Sequence, residues 1–122
     1  MIKGHVNEFM EPVVSIVLRG KTRMTVSAVI DTGFNEYLSV PARLLKRLGW
    51  NRIGIETYEL ASGEKMESDT YLGIVIFGGK RRQVVAVAGS PSEVLIGTRL
   101  LDGMELRINF VSGRVAIENA SR

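Results

Sequence analysis

The sequence predicts an all-β domain with one main short α-helix. Runs of apolar, β-branched residues recur at short intervals, and turn signals rich in glycine separate them. Only residues 41–49 carry leucines at helical spacing. A length of 122 residues fits a single domain, 1–122, which can bury a core without metal or disulfide support. We expect the core at about residues 13–118, with mobile termini on either side.

Ten runs are predicted as strands, and most of them are apolar and bounded by turn residues; the strand pattern resumes over residues 65–70 after the polar segment 61–64. They cover residues 13–18, 24–30, 37–40, 53–60, 65–70, 71–77, 83–88, 94–96, 104–110 and 114–118. Glycine turns join successive runs into hairpins, and the hairpin around residues 61–64 is predicted to be exposed. A helical turn capped by Thr98 is predicted at residues 98–102, and residues 119–122 are predicted to fray.

The predicted helix begins and ends at recognisable residues. Pro41 suits the first position of a helix, and Gly49 suits the position just after its last turn. Leu44, Leu45 and Leu48 lie on one face at helical spacing, so we assign them to the core.

Composition excludes several kinds of chemistry. The chain has no cysteine, so it has no disulfide, thiolate zinc site or cysteine nucleophile, and His5 is its only histidine. A serine triad or a multi-histidine metal site is therefore not expected. The net charge of +3 is mild, and the basic run at residues 80–82 has no aromatic partners, so nucleic acid is not an expected ligand. Without a signal or membrane segment, the predicted location is cytoplasmic.

The most informative motif is Asp31-Thr32-Gly33, which follows the apolar run Ala28-Val29-Ile30. An ionised carboxylate at the end of a buried strand needs backbone donors, or it serves chemistry. The alternative is an ordinary turn, because all three residue types favour turns. A similar order of elements recurs later in the chain, where a strand ends in Leu95-Ile96-Gly97 before a further leucine-bearing segment.

These motifs resemble those of retropepsin-like aspartic peptidases, especially the small bacterial and archaeal branch whose motif continues as Asp-Thr-Gly-Phe, here with Phe34. The likeness covers about residues 13–118. It implies a closed acid-protease β-barrel in which Leu95-Ile96-Gly97 packs against the Asp-Thr-Gly loop and supports the active site. It also implies a flap hairpin at residues 58–66, whose tip Ala61-Ser62-Gly63 would cover an extended peptide substrate.

The resemblance implies a homodimeric aspartic endopeptidase that needs no cofactor and no metal. Peptide hydrolysis by carboxylates uses two of them, one ionised and one protonated. Leu95 stands where a second carboxylate would lie, so each chain would contribute one Asp31 at a two-fold axis. Thr32 would hold the two loops together across that axis, and Gly33 would lend its amide to the carboxylates. Membranes and nucleic acid would not be partners.

Several alternatives stay open at this point. The chain could be a catalytically silent β-barrel that dimerises or binds peptides, and Ser62-Gly63 could be a plain turn. Residues 104–118 could form the dimer contact or complete the barrel. Nucleotide binding has weak support, since Gly78-Gly79-Lys80 approaches a P-loop with the wrong spacing. Specificity is expected to come from apolar pockets, with candidate residues Ile30, Leu60 and Val94 that are equally compatible with the core.

Overall fold

The computed structural model describes residues 1–121 and contains ten strands and one helix. In chain order, these are β1 (Ile2–Val6), β2 (Pro12–Arg19), β3 (Arg23–Ile30), β4 (Leu38–Val40), α1 (Ala42–Leu48), β5 (Asn51–Glu59), β6 (Lys65–Phe77), β7 (Lys80–Ala88), β8 (Val94–Ile96), β9 (Met104–Asn109) and β10 (Arg114–Asn119). The predicted all-β fold with one short helix is confirmed.

Six of the strands close into a barrel. The ring runs β2-β3-β8-β4-β7-β6 and closes where β6 pairs with β2. Alternate residues point inward, so that Ala28 and Ile30 of β3 and Ile96 of β8 are buried in its core. The remaining strands extend from this ring: β5 pairs with the first half of β6, while β1, β10 and β9 continue outward from β2.

Helix α1 lies where the sequence predicted it, although Pro41 is its N-cap and Ala42 its first residue. Leu45 and Leu48 are almost fully buried, and Gly49 ends the helix in the left-handed conformation at φ 66°. The backbone N–H of Lys21 donates to the Leu48 carbonyl oxygen at 2.8 Å, which fixes the end of the helix against the β2–β3 turn. Among residues 1–121, no helix has the length and apolarity needed to cross a bilayer.

The amino terminus corrects the expectation of a mobile segment before residue 13. Residues 2–6 form β1, which pairs with β10 on one side and β2 on the other. Gly4 permits this pairing, because a Cβ there would lie 2.0 Å from the Val13 carbonyl oxygen. Strands β9 and β10 lie outside the ring, so the idea that residues 104–118 complete the barrel is wrong. Of the predicted frayed tail, Asn119 belongs to β10, and Arg122 lies outside the described residues.

Two further predictions about elements need correction. The runs at 65–70 and 71–77 are one continuous strand, β6, which serves two hairpins because β5 and β7 pair with successive parts of it. Residues 98–103 form successive turns instead of a helical turn. Thr98 does not cap them, because its hydroxyl donates across the barrel end to the Phe34 carbonyl oxygen at 3.4 Å.

Candidate active site

Strand pairing brings the two motifs of the sequence side by side. Strands β3 and β8 run parallel, with Ile30 opposite Ile96. The backbone N–H of Asp31 donates to the Ile96 carbonyl oxygen at 2.9 Å, so the ladder continues one residue beyond β3. Asp31 therefore stands where the chain leaves the barrel core, at the end of a fixed pair of strands.

The Asp31 loop (residues 31–34) is a tight turn that holds its own carboxylate. The Gly33 N–H donates to Asp31 Oδ1 at 2.9 Å, and the Phe34 N–H donates to the Asp31 carbonyl oxygen at 3.1 Å. Asp31 is half-buried, whereas Thr32 and Gly33 are exposed. One backbone donor thus orients the carboxylate while the loop around it stays open to a partner or a substrate.

A second loop packs against the first at Gly97. The Gly97 N–H donates to the Tyr37 carbonyl oxygen at 3.0 Å, and the Thr98 N–H donates to the Phe34 carbonyl oxygen at 2.8 Å. A Cβ at Gly97 would lie 1.9 Å from the Glu36 carbonyl oxygen and 2.8 Å from the Phe34 ring. Only glycine allows the two backbones to approach this closely, so the second motif supports the geometry of the first.

The hairpin tip Ala61-Ser62-Gly63 lies at the far end of the β5–β6 hairpin. The Leu60 N–H donates to the Glu64 carbonyl oxygen at 2.7 Å, and Gly63 takes φ 87°, as a tight turn requires. All three tip residues are exposed. Within residues 1–121, no hydrogen bond or ion pair joins this tip to the Asp31 loop.

Two solved structures share this architecture. A retropepsin-like aspartic protease from Rickettsia conorii is 15% identical to this chain, with a TM-score of 0.65, and the match covers 95% of this chain and 88% of that one. The fold is retropepsin-like. The simian foamy virus (mac) protease is 18% identical, with a TM-score of 0.56, and the match covers 73% of this chain and 90% of that one. No protein-family model matches the sequence, and no curated protein matches it.

Sequence reasoning missed several residues around the site of this retropepsin-like fold. Tyr37 and Thr98 fix the two loops through the backbone bonds described above, and neither has a sequence signal that reveals its partner. Of the candidate pocket residues, Ile30 and Val94 are core side chains with 4% and 3% exposure. Leu60 is exposed beside the hairpin tip.

Tyr58 lies on the hairpin that the resemblance assigns to a flap. Its hydroxyl is buried and has no hydrogen-bond partner in the part of the chain that the structure describes. Burial raises the pKa of Tyr58, and the nearby Glu36 and Glu56 carboxylates raise it further. Glu36 follows the Asp31 loop, so this part of the hairpin lies near the segment that leaves the loop.

We expect Tyr58→Phe to leave the free energy of unfolding unchanged or to raise it by up to about 1 kcal/mol, since the variant removes a buried hydroxyl that has no partner. The sign of the pH effect follows from the raised pKa. Below the ordinary tyrosine pKa the hydroxyl is neutral in both the folded and the unfolded state, whereas above it the unfolded state ionises first, so the wild type loses stability as pH rises toward the raised value.

The variant should therefore gain stability relative to the wild type above about pH 10, measured by urea unfolding at neutral and alkaline pH. A loss of more than about 1 kcal/mol at neutral pH would show that the hydroxyl is hydrogen-bonded.

Proposed function

We propose that this protein is an aspartic endopeptidase in which two copies each contribute one Asp31. The observation that carries the proposal is the carboxylate on an open loop, oriented by the Gly33 N–H and positioned by the β3–β8 pair. The retropepsin-like fold supports it, because two solved proteases share the architecture.

The need for a second copy follows from the chemistry and from the residue at the related position. Hydrolysis by carboxylates uses an ionised group to take a proton from water and a protonated group to polarise the scissile carbonyl. Leu95 and Ile96 pair with Val29 and Ile30, and Gly97 follows them as Asp31 follows Ile30, so the end of β8 supplies no carboxylate. Thr32 and Gly33 are exposed, so the loop is free to meet the same loop of a second chain.

Two apolar turns (residues 7–11 and 109–113) support association. Phe9 is 73% exposed and Val111 is 99% exposed, so both apolar side chains are available to a partner. Each turn is held by an asparagine: Asn7 Oδ1 accepts from the Phe9 N–H at 2.9 Å, and Asn109 Oδ1 accepts from the Val111 N–H at 2.8 Å. Preformed turns of this kind bind a partner without a large ordering cost.

In the proposed mechanism, the two Asp31 carboxylates share one proton, because like charges at short distance resist joint ionisation. The ionised member accepts a proton from the attacking water, and the protonated member donates a hydrogen bond to the peptide carbonyl. The Gly33 N–H holds each carboxylate, and the Thr32 hydroxyl is proposed to join the loops across the axis. The backbone of the tip, residues 61–63, would pair with an extended substrate once the hairpin closes.

The proposal is tested by incubating the protein with a mixed peptide library from about pH 4 to 7 and identifying cleavage products by mass spectrometry. We expect cleavage within extended peptides, with a specific activity that falls as the protein is diluted below its dimerisation constant. Absence of products in a sample shown to be dimeric by sedimentation would contradict an endopeptidase and favour a silent dimerisation or peptide-binding module.

Two finer assignments accompany the proposal. We propose that the chain belongs with the bacterial and archaeal branch in which phenylalanine follows the Asp-Thr-Gly motif, because Phe34 holds that position here. The cytoplasmic location stays a prediction from the sequence.

A further inference from the structure

An open pocket of about 400 Å³ lies directly beside Asp31. Apolar side chains form much of its wall: Val29 and Leu95 are paired residues of β3 and β8, and Ile108 reaches it from β9. All three side chains are half-buried. A substrate side chain next to the bond being cleaved would enter this space, because the pocket and the carboxylate share the same strand ends.

The pocket also carries two glutamates and no cationic side chain among its lining residues. Asn7 holds Glu11, since Asn7 Nδ2 donates to Glu11 Oε1 at 3.3 Å and Asn7 Oδ1 accepts from the Glu11 N–H at 3.0 Å. Glu93 makes no hydrogen bond or ion pair with any residue between 1 and 121. The chain as a whole has a net charge of +3. The pocket is nevertheless a local region of negative potential, because no cationic side chain among its lining residues balances the glutamates.

Glu11 and Glu93 do not form a metal site with Asp31. Across residues 1–121, no three histidine, cysteine, aspartate or glutamate side chains are close enough to hold an ion. The two glutamates are instead separate charges on an apolar pocket. That arrangement matches a long side chain with an apolar stem and a cationic end.

We propose that this pocket selects a lysine or arginine side chain of the substrate next to the scissile bond. The inference rests on the proposed endopeptidase function and adds its substrate class. The methylene stem would pack on Val29 and Leu95, and the ammonium or guanidinium would pair with Glu93 and Glu11. Specificity would then depend on charge as well as on the apolar contacts that the sequence led us to expect.

The test compares peptides that differ only at the residue beside the cleaved bond, with lysine in one series and norleucine in the other. We expect the wild type to cleave the lysine peptide with a kcat/KM about fivefold higher, the size of a partly exposed ion pair. Glu93→Gln should reduce this ratio toward one, and the preference should fall as salt is raised. Glu105→Gln is the matched control, because Glu105 is exposed on β9, where it pairs with Arg107, and does not line the pocket.

Preferential cleavage of the norleucine peptide, or the same ratio in Glu93→Gln and Glu105→Gln, would overturn the pocket assignment and leave the endopeptidase function standing. Cleavage of neither peptide would count against the proposed function itself. In that case, the affinity of the Asp31→Asn protein for each peptide is measured by fluorescence polarisation. Tighter binding of the lysine peptide would support the pocket, and equal binding of the two peptides would overturn it.

Discussion

Asp31→Asn should abolish peptide hydrolysis, with a loss of at least about a thousandfold in kcat, while the protein keeps its fold. The amide cannot take a proton from water, so the pair would lose its general base. The substitution preserves shape, and the asparagine Oδ1 can still accept the hydrogen bond from the Gly33 N–H. We expect the free energy of unfolding to change by no more than about 0.5 kcal/mol.

The control for this prediction is Asp69→Asn, which makes the same chemical change on β6. Asp69 pairs with Arg52 at 2.9 Å, and both side chains are about half exposed, so the pair contributes little to stability. This variant should keep most of the wild-type activity. If both variants lost hydrolytic activity equally, the loss would not be specific to Asp31. If Asp31→Asn kept full activity, the chemistry would lie on other residues.

Gly97→Ala should have the largest effect on stability near the site. The added Cβ would lie 1.9 Å from the Glu36 carbonyl oxygen, a backbone atom that can move only if the loop after Phe34 moves with it. We expect a loss of about 3 kcal/mol or more in the free energy of unfolding, and a loss of hydrolysis because the Asp31 loop is displaced. Urea unfolding followed by the fluorescence of Trp50, the only tryptophan, measures the first effect.

Gly54→Ala is the matched control for the glycine. A Cβ at Gly54 would meet only the Thr70 hydroxyl at 3.6 Å, which is an ordinary contact. Its free energy of unfolding should stay within about 1 kcal/mol of the wild type. If Gly97→Ala were as mild as Gly54→Ala, the close packing of the two loops would not be needed for the fold.

The order of motifs in the sequence predicted the paired strand ends, but not the contacts that fix them. Asp31-Thr32-Gly33 and Leu95-Ile96-Gly97 each end an apolar strand. Apolar strands are normally buried in the core of a domain. The parallel pairing of Ile30 with Ile96 depends on how the whole barrel closes. Local patterns carry no information on that closure, so the sequence predicts Thr98 as a cap, whereas its hydroxyl donates to the Phe34 carbonyl oxygen.

The amino terminus and the pocket were harder to predict for related reasons. Strand β1 is short and half-buried, and its stability comes from β10, more than a hundred residues away in sequence, so its own residues give little signal. Glu11 and Glu93 lie in separate segments that meet only once β2 and β8 have both paired with β3. A single glutamate in a loop is usually an exposed charge, and only the folded pocket indicates a role for these two.

The most direct test of a shared active site is to mix wild-type protein with Asp31→Asn at constant total concentration. Sedimentation first establishes that both proteins associate equally, and the mixture is incubated until subunits exchange. If each active unit contains two Asp31 residues, an equal mixture should retain about one quarter of the wild-type activity, because only wild-type pairs are active. Retention of about one half would show that each chain acts alone and would contradict the two-copy site.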